Sequence, residues 1–392
     1  MLRSLDSGIS GLQAHQTMLD VTANNIANVD TTGFKSSSTQ FEDSLSEMTK
    51  AASGSTTTVG STNPAQVGLG VTVAGIATNF TQGAAQATGN ATDMMVSGDG
   101  FFTVMTGGQT LYTRAGSFNF DSTTGRLVTP DGAYVQGWQA VNGVIPSSST
   151  ALSTVTIPQN SVAPASATTA ATVTGNLPSD AAVGTVETED TNVYDSSGIS
   201  RSLTLTFTKT AAGWDVAGAD GTGATGATSL AFTSGAVTSG GSLTGGGVAV
   251  DLSTVTGVAG LSSASISSQN GQTAGTLESY TLSSDGTLVG SYSNGATIPI
   301  ARIALSTFAN PNGLSKVGSS DYSATVASGG ATVGVAGSAG FGSVIGGSLE
   351  MSNVDLTQEF SNLIVAQRGF EANARIITAS DQILQDLNQM QH

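Results

Sequence analysis

Cysteine is absent from this 392-residue chain, which removes disulfides, thiolate nucleophiles and thiolate metal sites together. Charge is scarce, at 10% of residues against roughly 25% in ordinary globular chains. What charge there is leans acidic, for a formal net charge of −16, and no Lys or Arg occurs between Lys209 and Arg302. Phosphate backbones are bound by clustered cations that displace counterions, so nucleic acid is excluded as a partner. An anionic membrane surface is excluded for the same reason. No apolar run approaches the ~18–20 residues that cross a bilayer, so no membrane insertion is expected. The start, Met1-Leu2-Arg3-Ser4-Leu5-Asp6, has no continuous apolar stretch and no small-residue cleavage site, so it does not read as a secretory signal. Histidine is down to His15 and His392. A Ser/His/Asp set would have to use His15, whose neighbours Ala14 and Gln16 supply no orienting acid. Turns such as Asp195-Ser196-Ser197-Gly198 lack the alternating acids of a calcium loop. Gly107-Gly108 and Gly346-Gly347 lack the Lys of a phosphate loop. The chain offers no catalytic, cofactor-binding or metal-binding residues and does not read as an enzyme.

What is present sits at the two ends. Leu5, Ile9, Leu12, Gln16, Leu19, Ala23 and Ile26 follow a heptad, and so do Leu356, Phe360, Leu363, Gln367, Phe370, Ala374, Ile377, Asp381 and Leu384. Steps of three and four put each set on one helix stripe, and a sustained 3.5-residue repeat favours coiled-coil packing. The spacing predicts helices over about 4–28 and 352–390. Subunit-interface residues are expected at Leu5, Ile9, Leu12, Leu19, Ile26, Leu356, Phe360, Leu363, Phe370, Ile377 and Leu384. Between Ser7 and Leu19 there is no charged side chain, which suits a helix covered on several sides; a solvated, weakly helical arm is the competing reading. Gly8 and Gly11 each cost about 1 kcal/mol of helix propensity, so close backbone approach is expected there. Ser352-Asn353-Val354-Asp355 reads as a capping box for the last helix. Arg368, Glu371 and Arg375 have the spacing of surface ion pairs.

Between the helices the pattern is β. Phe101–Val104 and Thr110–Thr113 flank Gly107-Gly108 as a hairpin. Strands return at Leu203–Phe207, Tyr280–Leu282, Thr287–Val289 and Ile298–Ile303. The stretches Gly221 to Gly226 and Ser239 to Gly247 read as loops. The fold class is multidomain α+β: terminal coiled-coil-type helices paired at one end, with nested discontinuous all-β domains between them. The expected partition is 1–30 with 352–392 as a helical core domain, 31–66 as an extended connector, 67–145 with 277–351 as a discontinuous β domain, and 146–276 as an inserted outer β domain. Ser, Thr, Gly and Ala fill the place of charge, as in exported bacterial surface proteins.

Ala23-Asn24-Asn25-Ile26-Ala27-Asn28-Val29-Asp30-Thr31-Thr32-Gly33-Phe34-Lys35 resembles the N-terminal signature of the bacterial flagellar rod and hook protein family. Ser352-Asn353-Val354-Asp355-Leu356, Ile364-Val365-Ala366-Gln367-Arg368 and Asp381-Gln382-Ile383-Leu384 resemble its C-terminal helix. Val193-Tyr194-Asp195-Ser196-Ser197-Gly198, Gly286-Thr287-Leu288-Val289-Gly290 and Phe308-Ala309-Asn310-Pro311 look like the hook branch of that family. The resemblance implies a self-assembling structural subunit of a curved tube that joins rod to filament and transmits torque. It implies terminal helices lining the inner layer, and export without a cleaved signal through the flagellar type III export apparatus to the extracellular flagellum. It implies as partners further copies of the chain, the distal rod protein, the hook cap, the hook–filament junction protein and the hook-length control protein. Cross-linking through Cys, known for some of the family, does not carry over to a chain without Cys.

Overall fold

The computed structural model describes residues 2–54, 60–147, 150–158, 161–221, 223 and 225–390; His392 lies outside them. The chain divides into two compact units: Met1–Ile157 with Thr281–Val289 and Pro299–His392, and Pro158–Tyr280 with Gly290–Ile298. The first unit holds the expected helical domain and most of the expected β domain, while 277–280 and 290–298 of the latter fall in the second unit.

In the first unit, helices α1 (Leu2–Ala27) and α2 (Leu356–Met390) pack together. The start of α2 differs from expectation. Asp355 Oδ1 accepts the backbone N–H groups of Thr357 (2.8 Å) and Gln358 (3.3 Å), so Asp355 is the cap. The chain before it stays extended because Asn353 is needed elsewhere, its backbone N–H donating to the Phe34 carbonyl. The expected box from Ser352 therefore does not form. Arg368–Glu371 and Glu371–Arg375 are not among the ion pairs of the described residues; these side chains are exposed, where water competes for both charges.

The expected connector is a long hairpin. Strands β1 (Ser37–Asp43), β2 (Ser46–Lys50), β3 (Ala65–Gly68) and β4 (Val71–Thr78) pair antiparallel along one path, with Ser37 opposite Thr78, Ser46 opposite Gly68, and a bridge from Ser53 to Thr62. Val71 and Val73 supply the apolar face of this pairing, half-buried on the strand beside α1.

Strand β5 (Ala85–Ala87) pairs with Ser348–Glu350, and β6 (Met94–Ser97) with Ser343–Gly346. Strands β7 (Phe101–Thr106) and β8 (Gln109–Thr113) form the expected hairpin, turning through Gly107 and Gly108 at φ 56° and 80°. Tyr134–Gln139 and Thr297–Thr307 both pair with β7. Phe102, Phe118, Trp138, Ile303 and Leu305 are buried. Phe101, Tyr112, Phe308 and Tyr322 form a separate aromatic cluster with edge-to-face contacts.

In the second unit, Val186–Tyr194, Ser200–Lys209, Trp214–Asp220 and Thr225–Thr233 form an antiparallel meander. Within 239–247, expected as a loop, Ser242–Gly245 is a strand flanked by Ala236–Ser239 and Val248–Asp251, while at 221–226 the strand Thr225–Thr233 begins at Thr225. Glycine here serves close packing, since a Cβ on Gly226 would stand 2.0 Å from the Thr244 carbonyl oxygen. Leu243, Val248 and Val250 point into a core with Leu203, Leu205, Phe207 and Trp214.

Candidate assembly surface and its anchor

Helices α1 and α2 run antiparallel. Gly8 faces Ile376 and Ile377, Gly11 faces Asn373, His15 lies over Gly369, and Asn25 donates to Glu359 Oε1 at 3.0 Å. Gly8 and Gly11 are thus kept where α2 comes close: a Cβ on Gly11 would sit 2.7 Å from the Asn373 amide nitrogen. The reciprocal case is Gly369, where a Cβ would reach 2.5 Å from the His15 ring. The buried stripe consists of small and polar residues, with Gly8, Gly11, Ala14, Thr22 and Asn25 on α1 and Glu359, Ala366 and Ser380 on α2. Hairpin strands β1 and β4 cover another side of α1, where Ser10 Oγ accepts from Val71 N at 3.3 Å and the His15 and Phe41 rings lie 5.9 Å apart.

None of the side chains expected at subunit interfaces is fully buried within the subunit. Leu5, Leu12, Leu19, Ile26, Leu363, Phe370 and Ile377 are half-buried, while Ile9 (40%), Leu356 (39%), Phe360 (50%) and Leu384 (41%) are exposed. Of these, Ile377 meets α1, at Gly8. The heptad rows therefore flank the helix–helix contact. A second exposed row was missed: Val365, Ile376 and Ile383, joined by Ala372 and Ala379 at steps of seven, four, three and four. That repeat was there to be read, but it carries no Leu or Phe and so stood out less.

The N-terminal signature turns out to be an anchor below the helices. Asn25 Nδ2 donates to the Ser37 carbonyl (2.7 Å) and Asn25 Oδ1 accepts from Ser37 N (3.0 Å), clamping the helix end to β1. Burial pushes the Glu359 carboxyl above its ordinary range, against the opposing pull of the Asn25 amide. Gly33 takes φ +69°, and a Cβ there would strike Ala115 N at 2.4 Å. Lys35 is fully buried beside Glu350, with Nζ 2.6 Å from Oε1, and Arg114 Nη1 lies 3.4 Å from Oε2. Burial lowers the pKa of both cations, while Glu350 pulls each back up. Asn353 Nδ2 donates to the Asn79 carbonyl (2.8 Å), and Asn353 Oδ1 accepts from Ser36 N (2.8 Å). Lys316 Nζ donates to the Lys35 carbonyl (3.2 Å) and Ser37 Oγ (2.9 Å), over the Phe34 ring.

No group of His, Cys, Asp or Glu among the described residues could hold a metal, and no helix is long and apolar enough to cross a membrane. The chemistry available is that of packing: apolar rows on two long helices, held at their base by buried polar clips.

Residues 5–35 match the family described as flagella basal body rod protein, residues 95–176 the flagellar hook protein FlgE/F/G D1 domain, and residues 345–390 the flagellar basal body rod FlgEFG protein C-terminal. The flagellar hook protein FlgE of Borreliella burgdorferi is 37% identical over 439 residues, covering 99% of each chain. The flagellar basal-body rod protein FlgG of Bacillus subtilis is 32% identical over 388 residues, covering 99% of this chain and 98% of its own. The crystal structure of Helicobacter pylori flagellar hook protein FlgE2 aligns at a TM-score of 0.47 and 14% identity, over 66% of this chain and 98% of that one.

Paired terminal helices, a β body nested between them and a signature that ties the two together define a subunit of the flagellar axial structures, and the chain belongs to the flagellar rod and hook protein family. Within that family it is a hook protein, a structural subunit and not an enzyme.

Proposed function

We propose that copies of this chain polymerise through the apolar rows of α1 and α2 into a curved tube that joins rod to filament and carries torque around a bend. The observation that carries the reading is the division of labour on the helices. The small-residue stripe is used up inside the subunit, while the Leu, Ile and Phe rows on either side of it stay half-buried or exposed. Burying a large apolar side chain yields about 1.5–3 kcal/mol, and a polymer repeats that gain at every subunit. Leu5, Ile9, Leu12, Leu19 and Ile26 on α1, with Leu356, Phe360, Leu363, Phe370, Ile377 and Leu384 on α2, are the assigned interface set. Val365, Ile376 and Ile383 are added to it.

Family membership supports the finer partners: the distal rod protein, hook cap, hook–filament junction protein and hook-length control protein. It also supports an extracellular location reached through the flagellar type III export apparatus without a cleaved signal. In this reading the helices form the inner layer of the tube.

Electron microscopy of cells lacking the gene tests the assignment. Basal bodies without hooks are expected; a missing distal rod would move the chain to the rod branch. The seam is tested by Phe360→Asp, which leaves a half-exposed site tolerable in the monomer but costs several kcal/mol in a dry interface. The variant should keep the monomer's melting temperature and fail to polymerise. Normal hooks from Phe360→Asp would remove that row from the interface.

A further inference from the structure

Buried ion pairs are poor stabilisers, because desolvation consumes what Coulomb attraction returns, and apolar replacements of similar volume often do as well or better. Lys35 and Glu350 are each fully enclosed. Arg114 is nearly so, and its Nε has no hydrogen-bond partner. An arrangement this costly calls for something that an apolar cluster would not supply, and what charges and hydrogen bonds supply is direction.

Three segments distant in sequence meet at the Glu350 carboxylate. Lys35 lies on the chain that leaves α1, Glu350 on the chain that leads into α2, and Arg114 follows the end of β8 in the β body. Oε1 accepts from Lys35 Nζ at 2.6 Å and from Gly83 N at 2.9 Å, and Oε2 accepts from Arg114 Nη1 at 3.4 Å. The Glu350 backbone carbonyl takes the Gly33 N–H at 2.7 Å. Arg114 is itself held by the Gly98 carbonyl at 2.9 Å and by the Phe101 ring beneath its guanidinium. Lys35 reaches the Thr81 carbonyl at 2.7 Å. Both ends of the helical arm are therefore pinned to one side chain, and that side chain is pinned to the β body.

We propose that Lys35, Glu350 and Arg114 are the mechanical coupling of this subunit: positioning residues that fix the direction in which the α1–α2 arm leaves the β body, so that a twist applied to one is passed to the other. The inference rests on the reading of the chain as a hook subunit that transmits torque. An apolar clamp would tolerate rotation of one segment against the next, because dispersion contacts are non-directional. A carboxylate shared between a fixed guanidinium and a fixed ammonium does not.

The test is the triple variant Lys35→Met, Arg114→Met, Glu350→Leu, which fills the site without leaving a buried charge unpaired. Three readouts are needed: the melting temperature of the purified subunit, electron microscopy of hooks, and swimming in media of rising viscosity, where the torque per hook increases. The expected result is an unchanged or raised melting temperature, hooks that still form, and a loss of swimming as viscosity rises under conditions the parent tolerates. Glu350→Gln alone, which keeps an acceptor but strands two buried cations, should lower the melting temperature and impair assembly as well. Swimming of the triple variant equal to the parent at every viscosity would overturn the coupling. So would a fall in its melting temperature with proportionate loss of hooks, which would make the cluster a stability element, and so would loss of hooks at an unchanged melting temperature, which would make it an assembly element. If the hook reading itself were wrong, cells lacking the gene altogether would keep their hooks, a control that separates that failure from failure of the coupling.

Discussion

Asp321 lies in the wall of a cavity of about 560 Å³ between the turn after α1 and the strand Asp321–Ser323. It is 4% exposed, and burial, reinforced by the neighbouring Asp131 carboxylate, pushes its pKa from 3.8 to about 6, against a hydrogen bond from Thr113. Its folded pKa thus lies above its unfolded one, so the folded state holds this proton more tightly. Its contribution to stability is full below the unfolded value and is lost as pH rises through about 6. At neutral pH the ionised group is a burden, on the order of 3 kcal/mol at most by the size of the shift. Asp321→Asn mimics the protonated acid. It should raise the melting temperature near neutral pH and leave it unchanged well below the unfolded pKa. Because other carboxylates titrate too, Glu359 among them, the quantity to measure is the difference between variant and parent across pH. A difference that stays constant from acid to neutral pH would show that Asp321 titrates normally.

On the scale of elements, the free subunit poses a question of burial. Helix α1 is covered by α2 and by β1 and β4, but much of the cover is small side chains, and the large apolar rows are half-buried or exposed. A two-stranded hairpin such as β2–β3 is marginal by itself, and every residue of those two strands is exposed. Hydrogen exchange on monomer and polymer should therefore show weak protection of α1, α2 and β1–β4 in the monomer, rising on assembly, while β7, β8 and the strand Thr297–Thr307 are protected in both. Protection of Leu5 to Ile26 in the monomer equal to that of β7 would make the helix pair stable alone. The helices were legible in the sequence because their heptads are long. The face they share was not, because Gly, Ala, Thr and Asn give no hydrophobic signal even where they are the only residues small enough to fit. The β1–β4 hairpin escaped notice for a related reason: Ser and Thr alternate no visible pattern, and the apolar half of the pairing lies on the far strand. The Glu350 cluster could not be read at all. Lys35 and Glu350 are 315 residues apart, and neither has a neighbour in sequence to mark it as buried.

At the scale of the molecule, a tube that must resist twisting yet bend on every turn needs some contacts that hold and others that slide. The helical rows and the Glu350 cluster suit holding. The second unit suits sliding: residues 210–301 carry no Lys or Arg, and a surface of short hydroxyl side chains forms few strong directional bonds between copies. Contacts of that kind, shifting at small cost, are suited to setting curvature. Replacing residues 158–280, the larger part of the second unit, with a Gly/Ser linker tests this. The remaining chain keeps both helices, the hairpin β1–β4, the hairpin β7–β8, and the core of Phe102, Trp138, Ile303 and Leu305. It should therefore still fold, be exported and polymerise, giving straight or irregular hooks and impaired swimming. Electron microscopy of purified hook–basal bodies reads the outcome. Normally curved hooks would take the second unit out of the mechanism. Complete loss of the tube, from a subunit whose melting transition is intact, would make that unit necessary for assembly itself.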